Sequence, residues 1–497
     1  MSDPRIPHPR REPRIPLPLT AEQLAAVFVR CADFQTRRVF LCGDRARPVI
    51  LCYLEGMAKT ERFNDYILKP LSEEKRLAAV PERDLPDLLV HGGIYTSGVR
   101  RSGSMDEAAV ALVNGSCALF FGDVCLLIPV PTEEKRSIVP PDNEPALKGS
   151  RDSFVESLRT NTSLVRRRLR APELKVQEQI VGRQTLTPVD VVYLEGIADP
   201  DTVERLEERL SAMDVDGVES AGDLEEYLVH GSRSPFPLMV TTQRPDRFCR
   251  GLLEGRVGLL ADGLPIGWLV PGTLDQFFRT GQDRAYHWMV VTALRLLRYL
   301  CALTSLFLPG LYIALVTFHP EAIPAKLSLS IAAAKQEVPF STIFEVLTML
   351  LAFEVVQEAG LRFPGPVGAT VSILGGLVVG NAAVEAHIVS PAVLIAVAIA
   401  GVAGYTAPSQ ELSNALRLWR FLLAVSASLG GLFGLTACCG ALILHLAGLE
   451  TFGVPYLAPF TAGAGAPPAN PSLIRLPLPL MKWRNAPLRT RNRRDQR

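Results

Sequence analysis

A valine, an asparagine and a glutamate stand at helical spacing in one apolar stretch, Val367–Val389. Asn381 and Glu385 are four residues apart and Val378 comes three residues before Asn381, so a helix places them on one face. An ionisable residue in a membrane span is costly unless it meets water or a partner. Such a helix could line an ion path where several copies assemble around an axis. Alternatively, it is a tightly packed helix whose polar end reaches the membrane interface.

Two acids in a second apolar segment are alternative candidates for attracting cations. Phe340–Ala359 is apolar but carries Glu345 and Glu354, and a carboxylate inside a span favours a cation or a water-filled path. The segment could also lie in the membrane interface or re-enter the membrane instead of crossing it.

The sequence contains none of the motifs that would indicate an enzyme. Walker A, GxGxxG after a strand, HExxH and GxSxG are all absent. The histidines near apolar segments lack metal-ligand spacing, and the nine cysteines include no CxxC, which favours a reducing compartment. A net charge of +1 does not indicate a nucleic-acid partner. We therefore predict no enzymatic activity, no cofactor, no metal site and no nucleic-acid binding.

The first part of the chain contains a duplication. Tyr-Leu-Glu-Gly occurs at Tyr53–Gly56 and again at Tyr193–Gly196. In both copies a second glycine, Gly115 or Gly255, follows 59 residues after the glycine of the motif. Such self-similarity indicates that one folding module is present twice.

Both copies show the same order of predicted elements: a strand, two helices and a hairpin. In the first copy these are Arg47–Leu54, Glu61–Leu71, Asp106–Val113, and Ser116–Phe121 with Val124–Val130. In the second copy they are Pro188–Leu194, Thr202–Met213, Arg247–Glu254, and Arg256–Leu260 with Ile266–Val270. Gly-Asp and Ala-Asp-Gly sequences are the predicted hairpin turns. Each module is therefore predicted to be α/β with a small mixed sheet.

A basic segment, Ser150–Arg170, joins the two copies. Its leucines and a valine recur at helical spacing, which predicts an amphipathic helix. This helix is either a solvated connector or a surface that faces the membrane or another subunit. In either case Arg159 and Arg166 are predicted to have structural or interface roles.

The composition becomes strongly apolar after Arg284. The predicted spans are Met289–Phe318, Val367–Val389, Pro391–Tyr405 and Phe421–Ala447, besides the acid-bearing segment. Arg295 and Arg298 lie in the first third of the first span, where they can snorkel to the interface and favour a cytoplasmic position for the duplicated domain. The segment Gln410–Arg420 is expected to be a cytoplasmic loop. With both chain ends cytoplasmic, the number of crossings is four or six.

The predicted fold is a duplicated α/β cytoplasmic domain followed by an all-α polytopic membrane domain. Its expected parts are a disordered basic arm, a first module, a linker helix with the second module, a transmembrane domain and a basic cytoplasmic tail: 1–45, 46–145, 146–283, 284–460 and 461–497. A tail rich in Lys and Arg is typical of a membrane-surface anchor or of a solubilising extension.

Collinear motifs make this sequence resemble the GerA family of spore germination proteins, and specifically its A subunits. The motifs are Arg151–Asn161, Leu164–Arg168, Tyr193–Ala198, Ser234–Pro237, Arg244–Asp246, Leu253–Val257, Arg295–Leu300, Thr317–Pro320, Ser330–Ala334, Pro366–Gly368, Ala383–Ala386, Ile388–Pro391 and Phe452–Phe460. They extend over most of the chain, which makes the resemblance specific. The basic arm and the Arg-rich tail depart from the usual ends of the family.

The resemblance implies a protein of the inner membrane of the bacterial spore. Family A subunits work with a transporter-like B subunit, which binds the nutrient, and with a lipoprotein C subunit. They are expected to form a homo-oligomer, a pentamer, that opens as a nutrient-gated channel, releases monovalent cations and starts germination. The segment Val367–Val389 matches the family's pore-lining segment, which favours Val378, Asn381 and Glu385 as pore residues. A SpoVAF-type accessory protein, which amplifies ion release or scaffolds receptors, shares most of these motifs and is the alternative.

Overall fold

The structure, a computed structural model, describes most of the chain: residues 15, 17–58, 63–81, 83–93, 98–131, 144, 148–229, 234–362, 378, 380–461 and 473–495. These residues form two compact units. The first unit contains the described residues of Met1–His230, Thr241–Pro271 and Leu488–Arg497, and the second those of Gly231–Val240 and Gly272–Pro487. Of the expected basic arm, residues 1–14 and 16 lie outside the described residues, whereas residues 21–27 form a helix and residues 34–40 a strand. The boundaries of the five expected parts stay predictions.

The first unit contains two five-stranded sheets with the same strand order. The first sheet has the order β1-β2-β4-β5-β3, with β1 (Phe34–Phe40), β2 (Pro48–Leu54), β3 (Arg100–Arg101), β4 (Ser116–Phe121) and β5 (Val124–Pro129). The second has the order β6-β7-β9-β10-β8, with β6 (Leu174–Val181), β7 (Thr187–Leu194), β8 (Val240–Thr242), β9 (Val257–Ala261) and β10 (Gly267–Val270). This shared order confirms that the repeated sequence folds as the same module twice. The first sheet is antiparallel throughout, so the prediction of a mixed sheet was wrong there.

Helices accompany each sheet at equivalent positions. Those of the first unit are α1 (Ala21–Val27), α2 (Lys69–Glu73), α3 (Lys75–Ala78), α4 (Leu85–Leu88), α5 (Met105–Val113), α6 (Leu158–Arg168), α7 (Pro200–Ser211), α8 (Ala221–Leu228) and α9 (Pro245–Glu254). Short π and 3₁₀ turns are at Leu41–Gly43, Asn64–Leu68 and Leu89–Gly93. The helices before the two hairpins, α5 and α9, and the basic joining helix, α6, agree with the sequence predictions.

Local sequence signals account for the ends of these helices. Ser104 caps α5, because its hydroxyl accepts a hydrogen bond from the Glu107 amide at 3.2 Å. Gly255 ends α9 in the left-handed conformation, with φ of 100°, which glycine adopts without steric cost. Asp199 stands at the N-cap position of α7, but its carboxylate accepts from the Thr202 hydroxyl at 3.0 Å and not from a backbone amide.

Both faces of the first sheet are buried. Neighbouring residues of a strand point to opposite faces, so Leu51 and Leu119 join one apolar cluster while Cys52 and Phe120 join the other. Helices α1 and α5 contribute to the second of these clusters, and the helical segments 63–89 contribute to the first. Burial on both sides explains why β4 and β5 are continuous apolar runs and not alternating ones.

The second unit is mainly helical. Its helices are α10 (Leu274–Phe277), α11 (Trp288–Ile313), α12 (Ala325–Lys335), α13 (Thr342–Arg362), α14 (Pro391–Gly404) and α15 (Gln410–Gly448), and residues 380–385 are also helical. A π turn, Ala314–Phe318, continues α11, and β11 (Glu450–Thr451) pairs with β12 (Val454–Pro455). Short 3₁₀ turns are at Gly281–Arg284, Pro320–Ala322, Leu478–Leu480 and Ala486–Leu488. Helix α11 approaches α15 closely at Gly310, where an added Cβ would lie 3.1 Å from the Leu423 carbonyl oxygen.

Within the part of the chain that the structure describes, two helices of this unit are long and apolar enough to cross a membrane. They are Trp288–Phe318 and Gln410–Gly448, each with a mean hydropathy of 1.9 in its most apolar window. They contain two of the predicted spans, and α14 is apolar but shorter. Most of the predicted span Val367–Val389 before residue 380 lies outside the described residues. The number of crossings therefore stays a prediction.

The segment Gln410–Arg420 is helical, so its prediction as a loop was wrong. It forms the first three turns of α15, which Ser409 caps by accepting a hydrogen bond from the Leu412 amide at 3.3 Å. Charged residues suggested a loop, but here they belong to the polar start of a long apolar helix. Further along, Gly430 and Gly431 leave the helical conformation and break α15 into two parts.

The described part of the basic tail is packed against the folded units. Arg475 is buried in the second unit and donates to the carbonyl oxygen of Tyr286 at 2.6 Å. In the first unit, Arg491 donates its amide to the Ile197 carbonyl oxygen at 3.2 Å, and Asp495 pairs with Arg250 at 2.9 Å. Arg475 thus binds protein groups through its side chain and Arg491 through its backbone amide, contacts that the expected roles of a membrane anchor or a solvated extension did not anticipate.

Candidate functional site

Helix α6 fastens the two modules of the first unit together. The guanidinium of Arg166 is fully buried and binds both carboxylate oxygens of Asp33, with 2.7 Å between Nη2 and Oδ1. The same side chain donates to the Leu174 carbonyl oxygen at 3.3 Å. Asp33 immediately precedes β1 of the first module, and Leu174 begins β6 of the second. Arg166 therefore connects both modules.

A short backbone pairing reinforces this joint. The Ala32 amide donates to the Val176 carbonyl oxygen at 2.8 Å, and the Val176 amide donates to the Arg30 carbonyl oxygen at 3.1 Å. The segment before β1 thus pairs with β6 of the other module. A buried ion pair and paired backbone groups together make the joint between the modules a specific, ordered contact.

The two copies of Tyr-Leu-Glu-Gly have different surroundings. Both glycines need the left-handed conformation, with φ of 76° at Gly56 and 80° at Gly196. A Cβ at Gly56 would lie 3.2 Å from the Arg159 carbonyl oxygen, whereas a Cβ at Gly196 would meet nothing within 4 Å. The first motif therefore packs on α6, and the second motif faces open space.

That open space is a cavity of about 300 Å³ in the first unit. Its lining combines two arginines, three glutamates, a tyrosine and small or apolar residues: Arg30, Tyr193, Glu195, Gly196, Ala198, Pro200, Val203, Glu204, Glu207 and Arg491. Arg30 is contributed by the first module and donates to the Tyr193 hydroxyl at 3.5 Å. Charges of both signs around a cavity of this size suit a small ligand that itself carries both signs.

A second charge network lies beside α6, around the buried carboxyl of Asp190. Its Oδ2 accepts a hydrogen bond from the Thr162 hydroxyl at 2.7 Å, and the Arg159 guanidinium lies 3.9 Å away. Glu178 is the cross-strand neighbour of Asp190 and pairs with Arg159, which also reaches Glu55 of the first motif at 3.7 Å. Burial raises the pKa of Asp190 to about 7, against the smaller opposing effects of Thr162 and Arg159.

Arg295 and Arg298, predicted at the start of the first span, share one buried carboxylate. Arg295 Nε lies 3.0 Å from Asp283 Oδ2, and Arg298 Nη1 lies 2.9 Å from Asp283 Oδ1. Arg298 also donates to the Phe278 carbonyl oxygen at 3.1 Å. The two arginines therefore hold the segment before α11 onto that helix.

Val378, Asn381 and Glu385 lie on one exposed side of the helical stretch. Val378 is 60% exposed, and Asn381 and Glu385 are also exposed. Gly380, on another side, is buried, and an added Cβ there would lie 3.3 Å from the Leu394 side chain of α14. One side of this stretch thus packs against its own chain, while the side with the polar groups is left open in a single copy.

The two candidate acids of α13, Glu345 and Glu354, differ in how their charge is compensated. Glu354 pairs with Arg420 and with Arg417, whose Nη1 is 3.5 Å from Oε2. Glu345 is 1% exposed, and its Oε2 accepts from the Ser390 amide at 2.8 Å. Its other oxygen, Oε1, has no hydrogen-bond partner within the described part of the chain.

Sequence reasoning did not identify the partners of these charges. It missed the roles of Asp33, Asp190, Asp283, Ser390 and the arginine pair of α15. Asp190 and Arg420 could have been identified from the sequence, because each is a charged residue next to apolar residues. For the others, the partners are 12 positions apart for Asp283 and Arg295, 45 for Ser390 and Glu345, and 133 for Arg166 and Asp33.

The chain is similar to known proteins over most of its length. A family model described as Bacillus/Clostridium GerA spore germination protein matches residues 22–486. Spore germination protein XA of Bacillus anthracis is 36% identical over 480 residues, which cover 95% of this chain and 96% of that protein. Spore germination protein B1 of Bacillus subtilis (strain 168) is 34% identical over 448 residues, which cover 90% and 92%. The uncharacterized membrane protein YfkQ of the same strain is 35% identical over 443 residues, which cover 88% and 84%.

Part of the chain is similar to a solved structure, the crystal structure of the N-terminal domain of the A subunit of the Bacillus megaterium spore germinant receptor GerK3, with a TM-score of 0.40 and 23% identity. The match covers 50% of this chain and 91% of that chain. A similarity at this level carries no argument about function.

Proposed function

Because this chain belongs to the GerA family of spore germination proteins, we propose that it is a germinant-receptor A subunit whose copies assemble into a nutrient-gated cation channel. The assembly is a homo-oligomer, a pentamer, in the inner membrane of the spore, with the duplicated unit in the cytoplasm. Its partners are a transporter-like B subunit, which binds the nutrient, and a lipoprotein C subunit.

The exposed side that carries Val378, Asn381 and Glu385 is the observation that supports a channel. In a single copy this side is exposed, yet it presents an amide and a carboxylate in a largely apolar unit. Polar groups within a membrane span are stable where they meet water or a partner. A ring of copies around an axis gives each of them a water-filled path, and a ring of carboxylates attracts cations.

Gating requires that nutrient binding on a partner stabilise an open arrangement of these helices more than a closed one. The contact between the modules at Arg166 contributes to gating. Because this contact holds the two modules of one copy together, a displacement of one module moves the other with it, and their relative position is kept. The duplicated units can then act as rigid bodies that keep the subunits aligned.

Ion flux from liposomes tests the proposal directly. Protein reconstituted with its B and C partners should release potassium or sodium when the nutrient is added, and Glu385→Gln should reduce the preference for cations over anions. Val378→Trp should reduce the flux itself, because it narrows the path. Glu337→Gln is the matched control, since Glu337 is an exposed acid that pairs with His387 at 3.2 Å on the same unit.

Two results would count against this function. Unchanged flux in stably folded Val378 and Glu385 variants would remove these residues from the pore. No flux from a monodisperse oligomer with partners and nutrient present would favour a SpoVAF-type scaffold or accessory protein.

The cavity at the second Tyr-Leu-Glu-Gly motif supports a second candidate function, ligand sensing by the duplicated unit. Calorimetric titration of the full-length protein with small zwitterionic amino acids tests it. Binding that is weakened at least tenfold by Arg30→Ala and retained in Arg183→Ala would support sensing. Arg183 is a suitable control because it forms an exposed pair with Asp214 at 2.6 Å, away from the cavity. Absence of binding across the series would exclude this class of ligand.

A further inference from the structure

We propose that the buried carboxyl of Glu345 forms a binding site for a monovalent cation inside the helical unit, separate from the exposed side at Val378, Asn381 and Glu385. Glu345 lies in the first turn of α13 and is 1% exposed. Its Oε2 is held by the Ser390 amide, whereas Oε1 has no hydrogen-bond partner among the described residues. The carboxylate is thus fixed in place with one oxygen available as a ligand.

Uncharged oxygen atoms from α11 and from the start of α14 lie close to the Glu345 carboxylate. Ser390 is 2% exposed and stands at the N-cap position of α14. Tyr312, on α11, lies beside Ser390 and near Glu345. A carboxylate, a serine hydroxyl and a tyrosine hydroxyl from three elements form an oxygen-rich group, which is the donor set that hard cations prefer.

The charge of Glu345 lacks a compensating cationic side chain in the described part of the chain. Lys335, the last residue of α12, donates a hydrogen bond from its ammonium group to the Thr342 hydroxyl at the start of α13. Within the described part of the chain it forms no ion pair with Glu345. The N-terminus of α14 contributes only a partial positive charge. A buried carboxylate is unfavourable unless its charge is paired, and a bound cation would complete the pairing.

The second acid of α13 provides the contrast within the same helix. Glu354 is compensated by Arg417 and Arg420, so it has no need of a cation. Glu345 supplies one negative charge, and the oxygens beside it are neutral. Divalent calcium and magnesium take more oxygen ligands, usually with several carboxylates or waters, so a single charge with neutral donors favours sodium or potassium.

Thermal unfolding of the full-length protein in detergent tests the site. At constant ionic strength, replacement of choline by sodium or potassium should raise the unfolding temperature saturably, by about 2–4 °C, because the cation binds the folded state. Glu345→Gln should abolish this rise while keeping an oxygen acceptor for the Ser390 amide. Glu345→Asp, which keeps the charge but moves it, should raise the half-saturating concentration. Glu337→Gln should behave like the wild-type protein.

Equilibrium dialysis with radioactive sodium gives a second readout that does not depend on how any variant folds. The wild-type protein should bind one ion per chain, in competition with potassium but not with choline. An unfolding temperature that depends on pH but not on sodium or potassium, or an unchanged cation response in Glu345→Gln, would overturn the site. Neither readout requires flux, so failure of the channel proposal and failure of this one are distinguishable.

Discussion

Protonation of Asp190 should make the first unit more stable in mild acid than at alkaline pH. The folded protein raises the pKa of this carboxyl from 3.8 to about 7 because it is buried. For an acid whose pKa is higher in the folded state, the stabilising contribution is fully present below the unfolded pKa and is lost as the pH rises through the folded pKa. A difference of about three pKa units corresponds to about 4 kcal/mol in total, of which about 2.5 kcal/mol is lost between pH 5 and pH 8.

The perturbation that isolates this effect is Asp190→Asn. The amide keeps an oxygen that can accept from the Thr162 hydroxyl, at 2.7 Å in the wild-type protein, and it cannot ionise. Differential scanning fluorimetry of the full-length protein in detergent, from pH 5 to pH 8, measures the unfolding temperature. Over this range the unfolding temperature of the wild-type protein should fall by about 5–10 °C more than that of the Asp190→Asn variant, at about 2–4 °C per kcal/mol.

The control is Asp214→Asn, which removes an acid from the exposed pair with Arg183. Exposed pairs contribute little, so the pH response of this variant should match that of the wild-type protein. The reasoning is refuted if Asp190→Asn and the wild-type protein lose stability in parallel as the pH rises. In that case Arg159, at 3.9 Å, would be sufficient to keep Asp190 ionised in the folded state.

Two further substitutions test the joint between the modules. Arg166→Leu should destabilise the protein by about 3–5 kcal/mol in urea unfolding, because it leaves Asp33 buried without its partner; a loss below about 1 kcal/mol would mean that water replaces the guanidinium. Gly56→Ala should cost more than Gly196→Ala, since both need a positive φ but only Gly56 packs against the Arg159 carbonyl oxygen. Equal losses in thermal unfolding would show that this contact relaxes freely.

The hairpins and the duplication could be predicted because their signals are local. Turn sequences such as Ala261-Asp262-Gly263 fix a hairpin within a few residues, and a repeated motif implies a repeated fold. Strands β1 and β6 were not predicted. Their sequences, Phe34–Phe40 and Leu174–Val181, carry charged and amide side chains and lie at the ends of their sheets, so they lack the apolar run that marks β4.

The candidate sites were predictable to the extent that they depend on helical spacing. The shared side of Val378, Asn381 and Glu385 follows from positions in one short stretch. The pairing of Glu354 with Arg420, in contrast, joins residues 66 positions apart, and only the packing of α13 on α15 determines it. Spacing alone therefore made Glu345 and Glu354 equivalent, although among the described residues only Glu354 has cationic partners.

The packing of residues 488–495 into the first unit has a consequence for synthesis. Thr490 is buried, Arg491 binds the Ile197 carbonyl oxygen and Asp495 pairs with Arg250, so the second module includes contacts made by the end of the described chain. A ribosome produces the sheets of this unit early and these residues only after all the helices of the second unit. The first unit therefore begins to fold during translation but reaches its final packing after the apolar helices have emerged.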